Sequence, residues 1–563
     1  MTSAYSNEIE AIPKPPETIS IPTIDISGKT PTVSVAVPAT ADATHQRIAQ
    51  VFASQLHQRC GLRVEGGSGG DIVVELVLGS GGAPDGYSIS DRKGGGTLIT
   101  GNNHRGLLYG VGKFLRSSTY EDGGGNATFV PGTWRGSSAP VQPHRAVYWW
   151  THIGPRWRNS ELENIRLDVE EMGLWGVNVI AGCFPVQGGY GKIPGYRGFD
   201  DPKLAGLLAR METMLKTARA LGLRTCLFVV PNSAYSGAPA DIRATPHQNQ
   251  CGGNHGVLVC PSTPQGEAYL LKQWEGVLKH FQVIGIDELV FFPYDEGGCG
   301  CERCRPWGGN GFLKISRAIQ RMADTLYPDV EIALSTWCFD KDPKAPNETE
   351  KLAEALDKDH RWVDYIMPDY RVPGYFPQKM IDHGVPGNLP AINFAEISMK
   401  WHGWNNEKRG LSPNPAKVAE MWALTKDHYQ GGIIPYCEHI YTDADMVMLA
   451  QLSWAPDRPV DDVLQEYTRF EFSATHSSDV IEAIRRNEAG HTDQAARILK
   501  SVEPKLTTFQ RDAWRWRSLM CRVTGASAKS INYGVEPPRN RIGLARANHR
   551  EQGAAADADK PRR

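Results

Sequence analysis

Two adjacent acids, Asp295 and Glu296, close the apolar run Ile286 to Phe292, and cysteines at 299, 301 and 304 follow them. An acid pair where a buried strand gives out can move protons or orient a polar group, provided other loops bring a substrate to it. The cysteines suggest different chemistry. Cys299, Cys301 and Cys304, with Cys251 and Cys260 in the preceding Gly/Asn/His-rich loop, have the ligand type and spacing of a closed, structural zinc site. A catalytic zinc would call for His and carboxylate ligands, which this cluster lacks. The bland alternative is a solvated acid pair beside reduced cysteines that merely pack.

The elements around this segment must decide. Short apolar runs alternate with helical patterns from Arg145 to Trp454. Strands are expected at 145–150, 177–181, 224–230, 286–292, 330–336, 363–367, 391–395 and 432–436. Helical spacing lies between and after them, ending with Ala444 to Trp454. Eight strand–helix units predict an α/β fold, a (β/α)8 TIM barrel, in which the C-terminal ends of all strands share one mouth. A doubly wound open sheet is the rival, but no Gly-rich phosphate turn follows the first strand.

Residues expected at that mouth are Trp149, Trp150 and His152, then Cys183 and Phe184, then Asn232 and Tyr235. Tyr294, Asp295 and Glu296 follow strand four, Trp337 and Asp340 strand five, and Asp369, Tyr370 and Arg371 strand six. Glu396, Lys400, Trp401, His402 and Trp404 follow strand seven, and Tyr436, Glu438 and His439 strand eight. Aromatic faces stack on sugar rings, and carboxylates and histidines bind hydroxyls, so this set suits a polyhydroxylated substrate.

Before the barrel, residues 31–138 read as an α+β domain: strands near 32–37 and 71–78, helices near 44–60 and 105–116, and a hairpin from Gly86 and Gly96. The barrel is expected over 139–457. Residues 458–526 read as a helical region that could cover the barrel or build a homodimer. Segments 1–30 and 527–563 are expected to be flexible and disordered, respectively.

Composition is that of a globular protein: 563 residues, 40% hydrophobic and 22% charged. A net charge of −2 gives no electrostatic case for nucleic acid or an anionic membrane, and no apolar stretch reaches membrane-spanning length. Eleven cysteines, an odd number, argue against a full disulfide framework. The first residues lack a basic start followed by an apolar run, so no signal peptide is expected, and a cytoplasmic location follows if that terminus is native.

The segments Tyr87-Ser-Ile-Ser, Thr97-Leu-Ile-Thr-Gly and Arg105-Gly-Leu-Leu-Tyr-Gly resemble the small N-terminal domain that precedes the barrel in β-N-acetylhexosaminidases and α-glucuronidases. The barrel is similar in layout to glycoside hydrolase family 20: Arg145 opens strand one, Asp295-Glu296 ends strand four, and Tyr436-Cys-Glu438 ends strand eight. Phe292-Pro-Tyr294 stands where that family has His-x-Gly-Gly, and the family's strand-two histidine element is missing near Cys183. The resemblance implies an exo-acting hydrolase of oligosaccharides or glycoconjugates that needs no cofactor for catalysis. Glu296 would be the general acid/base, and Asp295 would orient a 2-acetamido group acting as internal nucleophile. Substrate contacts are expected from Arg145, Trp150, His152, Tyr294, Trp337, Asp369, Glu396, Trp401, Tyr436, Glu438 and His439. Without an acetamido group, a second carboxylate must come from Asp369, Glu396 or Glu438, and a glucuronidase-like enzyme could use Arg371 and Lys400. A non-catalytic carbohydrate-binding barrel is the remaining alternative.

Overall fold

The computed structural model describes residues 32–121, 124–149, 161–184, 196–249, 256–295, 297–370, 375–398, 404, 410–437 and 440–525. Its first unit is a six-stranded sheet. Val33–Ala36 lies parallel to Val64–Gly66 and Ile72–Leu78, and Tyr87–Asp91 pairs antiparallel with Thr97–Gly101 as the hairpin pattern predicts. Helices Ala43–Cys60 and His104–Ser117 pack on it. Asp42 and Asn103 accept backbone N–H groups at their starts, and Gly61 ends the first in a left-handed turn. The Gly-rich end of this unit contributes strands Ala127–Val130 and Gly136–Ser138, the latter pairing with Tyr87–Ile89. Short strands among glycines carry too little periodic signal to be read locally.

Eight parallel strands then form the barrel: His144–Trp149, Val179–Cys183, Arg224–Val229, Glu288–Phe291, Glu331–Ser335, Tyr365–Met367, Ile392–Asn393 and an eighth in two pieces, Gly432–Ile433 and Tyr436–Cys437. Strands one to six pair in sequence, strand one pairs with strand eight, and strand eight with strand seven. A parallel bridge, Ile366 to Ala391, closes the circle between strands six and seven. The eighth strand is interrupted at Pro435, which has no N–H to give the ladder. Gly432 (φ 103°) lets it approach strand one, since a Cβ there would sit 2.1 Å from the His144 carbonyl.

C-terminal helices Val460–Glu471, Ser477–Glu488, Thr492–Val502 and Trp514–Thr524 pack on both earlier units through buried charges. Glu466 bonds Arg116, Lys113 and Arg458, and Arg515 bonds Asp443, Glu171 and Glu471. Within this region the helix from Thr508 stops at Ala513 (ψ 139°), after a capped turn begun by Thr507 and Gln510, and a new one starts at Trp514. No helix among the described residues is long and apolar enough to cross a membrane.

Candidate active site at the C-terminal end of the barrel

Tyr148, Phe228, Phe292, Trp337, Phe394 and Tyr436, from strands one, three, four, five, seven and eight or their ends, form a continuous aromatic layer. Phe394 is its centre. Its ring centroid lies 5.7 Å from Tyr148, 5.5 Å from Phe228, 5.9 Å from Phe292, 5.8 Å from Trp337 and 5.5 Å from Tyr436. Tyr148 and Tyr436 stack at 5.6 Å. Phe292 and Tyr436 are half-buried and the other four are buried. Such a layer is a dry floor on which a ring can stack.

Strained backbone and acids collect above this floor. Asp295 (φ 74°), Cys338 (60°), Asp340 (61°) and Tyr375 (62°) are four of the six described non-glycine residues with left-handed φ, and all lie in loops after strands four to six. Backbone held in that region by its surroundings concentrates at functional sites. Asp is among the few residues that accept it readily, which suits position 295. Asp369, 4% exposed, accepts the Cys338 N–H at 3.1 Å, and its own N–H bonds the Thr336 hydroxyl. Glu396, 3% exposed, lies where strand seven bridges to Tyr436.

The loop holding Asp295 is braced from strand three. Asn232 donates to the Gly298 carbonyl (2.8 Å) and accepts the Gly298 N–H (3.0 Å). His247 Nδ1 accepts the Asn249 N–H, so its Nε2 donates to the Gly297 carbonyl at 3.0 Å. Gly298 has φ 120°, and a Cβ there would lie 2.5 Å from the His247 ring. Thr245 accepts the Gly300 N–H at 2.7 Å. On the other side, Tyr294 donates its hydroxyl to Glu348 at 2.6 Å, and Glu348 also accepts N–H groups of Gly308 and Asp340. Burial raises Glu348 to about 7, which these hydrogen bonds only partly oppose.

Of the expected site residues, the structure brings Tyr294, Asp295, Trp337, Asp369, Glu396 and Tyr436 to this end of the barrel. Tyr294, however, is buried and committed to Glu348, so it supports the loop instead of meeting a substrate. Arg145 is a correction. It starts strand one at the opposite end, is 1% exposed, and gives its guanidinium to Gly176, Gln142 and Asp85. Asp340, read as a mouth residue, caps the helix at Glu348 and Thr349 and pairs with Lys379. Glu296, Trp150, His152, Trp401, Glu438, His439 and Cys251 lie outside the described residues, as do Arg371, Lys400 and His402. Cys260, Cys299, Cys301 and Cys304 do come together; all four are free, whereas Cys338 is disulfide-bonded.

Sequence reading missed Phe394, Phe228 and Tyr148, which looked like ordinary strand residues, and His247 and Glu348, which lie in a loop and at a helix start. Alternation of large aromatics among strand ends was the one available signal.

No protein-family profile matches the chain, and no curated protein does. Solved structures of glycoside hydrolases do share its fold. A GH115 4-O-methyl-α-glucuronidase with specificity for decorated arabinogalactans aligns with TM-score 0.57 at 8% identity, covering 87% of this chain and 71% of that one. A GH138 enzyme targeting pectin rhamnogalacturonan II aligns at 0.55 and 11% identity over 81% and 69%. The Vibrio harveyi GH20 exo-β-N-acetylglucosaminidase aligns at 0.51 and 11% identity over 78% and 73%. At these identities the likeness is one of fold.

Proposed function

We propose that this protein is an exo-acting glycoside hydrolase that removes terminal sugars from oligosaccharides or glycoconjugates. One observation carries the reading: Asp295 sits half-buried in a left-handed backbone at the end of barrel strand four, in a braced loop beside an aromatic floor. That is where barrel enzymes place their chemistry, and the shared fold with glycosidases supports it. Glu296, next in the chain, protonates the glycosidic oxygen as the leaving group departs. Asp295 holds the N–H of a 2-acetamido group whose oxygen closes on the anomeric carbon. Water, deprotonated by Glu296, then opens that ring. Two adjacent side chains do not flank a scissile bond from opposite faces, which favours this substrate-assisted course. The chemistry runs on carboxylates and needs no cofactor.

Asp369 and Glu396 support a second reading, in which one of them serves as the second carboxylate for a sugar without an acetamido group. A panel of nitrophenyl glycosides, with and without the 2-acetamido group, distinguishes the two. Glu296→Gln is expected to lower kcat by roughly 10²–10⁴-fold on the best substrate. Undiminished hydrolysis by that variant refutes the assignment. Rapid cleavage of sugars lacking the acetamido group moves the nucleophile to Asp369 or Glu396. Glycan binding with no turnover on any substrate leaves a carbohydrate-binding barrel.

A further inference from the structure

Behind the loop that carries Asp295, four cysteine sulfurs meet. Cys260 comes from the segment after barrel strand three, and Cys299, Cys301 and Cys304 from the loop after strand four. All four Sγ atoms lie within 4.8 Å of one another, with Cys260 at 3.8 Å from both Cys301 and Cys304. Thiolates at the corners of a tetrahedron about zinc, at about 2.3 Å from the metal, stand about 3.8 Å apart. A disulfide would bring two of them to about 2.05 Å. Cys260, Cys299 and Cys304 are buried, so a metal here would be closed off from water and from substrate.

Hydrogen-bond donors face the sulfurs. Backbone N–H groups of Cys301 and Thr245 point at Cys299 sulfur, and that of Ser262 at Cys260. The Ser262 hydroxyl lies 3.0 Å from Cys304 sulfur. The Cys301 carbonyl accepts the N–H groups of both Cys304 and Arg305, a tight turn that sets the Cys-x-x-Cys sulfurs on one side. Such N–H and O–H donors orient thiolate ligands and spread their charge.

We propose that Cys260, Cys299, Cys301 and Cys304 bind one zinc ion as a closed structural site. The zinc ties the strand-three segment to the strand-four loop and so acts, with Asn232 and His247, as a positioning device for Asp295. This inference stands on the sulfur geometry and holds whether or not the chain cleaves glycosides.

The test is metal analysis of the full chain purified under reducing conditions without chelator. One zinc per chain is expected, retained through dialysis, and exchangeable for cobalt with the absorption of a tetrahedral thiolate complex. Cys301→Ser should cut the bound zinc at least tenfold, and Cys301→His, which keeps a zinc ligand, should restore it. On zinc removal, amide exchange should quicken across 297–305 while the N-terminal sheet is unchanged, the mark of loop positioning. Four outcomes overturn the proposal: no zinc and no cobalt thiolate band in the reduced wild-type chain; iron bound instead; a disulfide among the four cysteines in the purified protein; or equal zinc in wild type and Cys301→Ser, which makes the metal adventitious. Should Cys301→Ser fail to fold, the wild-type metal content and cobalt spectrum still decide.

Discussion

The two ends of the barrel treat buried charge in opposite ways. At the N-terminal end each buried charge faces an opposite one. His144 and Glu288, both fully buried, meet at 3.1 Å, and Arg145 fills its guanidinium with two carbonyls and Asp85. Burial pushes the Asp85 carboxyl up, but Arg105 and Arg145 outweigh it and hold the group below the ordinary carboxylate range. At the C-terminal end, Glu348 is buried against a tyrosine and backbone amides, with no cation touching it among the described residues, and it titrates near neutrality. Asp295 sits there in left-handed backbone. The closed end is a joint between the barrel and the N-terminal sheet. The open end keeps polar groups under tension, as a site for chemistry must.

If this contrast is right, mutations at the two ends should separate stability from turnover. The largest effect is expected from Arg145→Ala, which leaves buried Asp85 with Arg105 as its remaining cation. It should cost roughly 3–5 kcal/mol, read as a lowered denaturation midpoint, with KM of any surviving folded enzyme unchanged. A raised KM with normal stability would return Arg145 to substrate binding. Phe394→Ala removes the centre of the aromatic floor and should cost roughly 3–5 kcal/mol while also weakening substrate binding, so both readouts move together.

Asp295→Asn keeps a residue that tolerates left-handed backbone but removes the charge. Turnover should fall by roughly 10²-fold or more, about 3 kcal/mol in transition-state terms, with the denaturation midpoint nearly unchanged. Equal loss of stability and activity would make Asp295 a structural residue like Arg145.

Glu348 gives a pH test. Its carboxyl is raised from an ordinary 4.5 to about 7 in the folded chain. Between those values the unfolded chain has released a proton that the folded chain still holds, so folding stability falls as pH rises through that window and levels off above it. The loss is about 3 kcal/mol at most. Glu348→Gln, which cannot ionise, should flatten that part of the midpoint-against-pH curve. The smallest effect is expected from Tyr294→Phe, about 1–2 kcal/mol for one buried hydrogen bond, with the pH-dependent step in stability enlarged because Glu348 loses a donor to its ionised form.

Much of the architecture was legible locally. The apolar runs at 224–230 and 286–292 match barrel strands Arg224–Val229 and Glu288–Phe291, and the hairpin at Tyr87 and Thr97 forms as read. These segments declare themselves because burial on both faces demands unbroken apolar character, and a hairpin is a nearest-neighbour event. The site was legible only in part. Asp295 and the cysteines announced themselves by residue type and strand-end position, whereas Arg145 entered through the family resemblance alone and proved to belong to the other end.

The sequence by itself determined the order of strands and helices, the barrel they imply, and the acids and thiols placed after strand four, because periodicity and spacing are local properties of the chain. Only the tertiary structure decided that Arg145 meets Asp85, that Phe394 gathers aromatics from strands far apart, that His247 braces Gly297, and that four sulfurs gather within 4.8 Å of one another. Each depends on tertiary packing, and the Phe394 layer on closing the barrel. That closure brings residues up to hundreds of positions apart within a few ångströms, and no local pattern encodes which of them will meet.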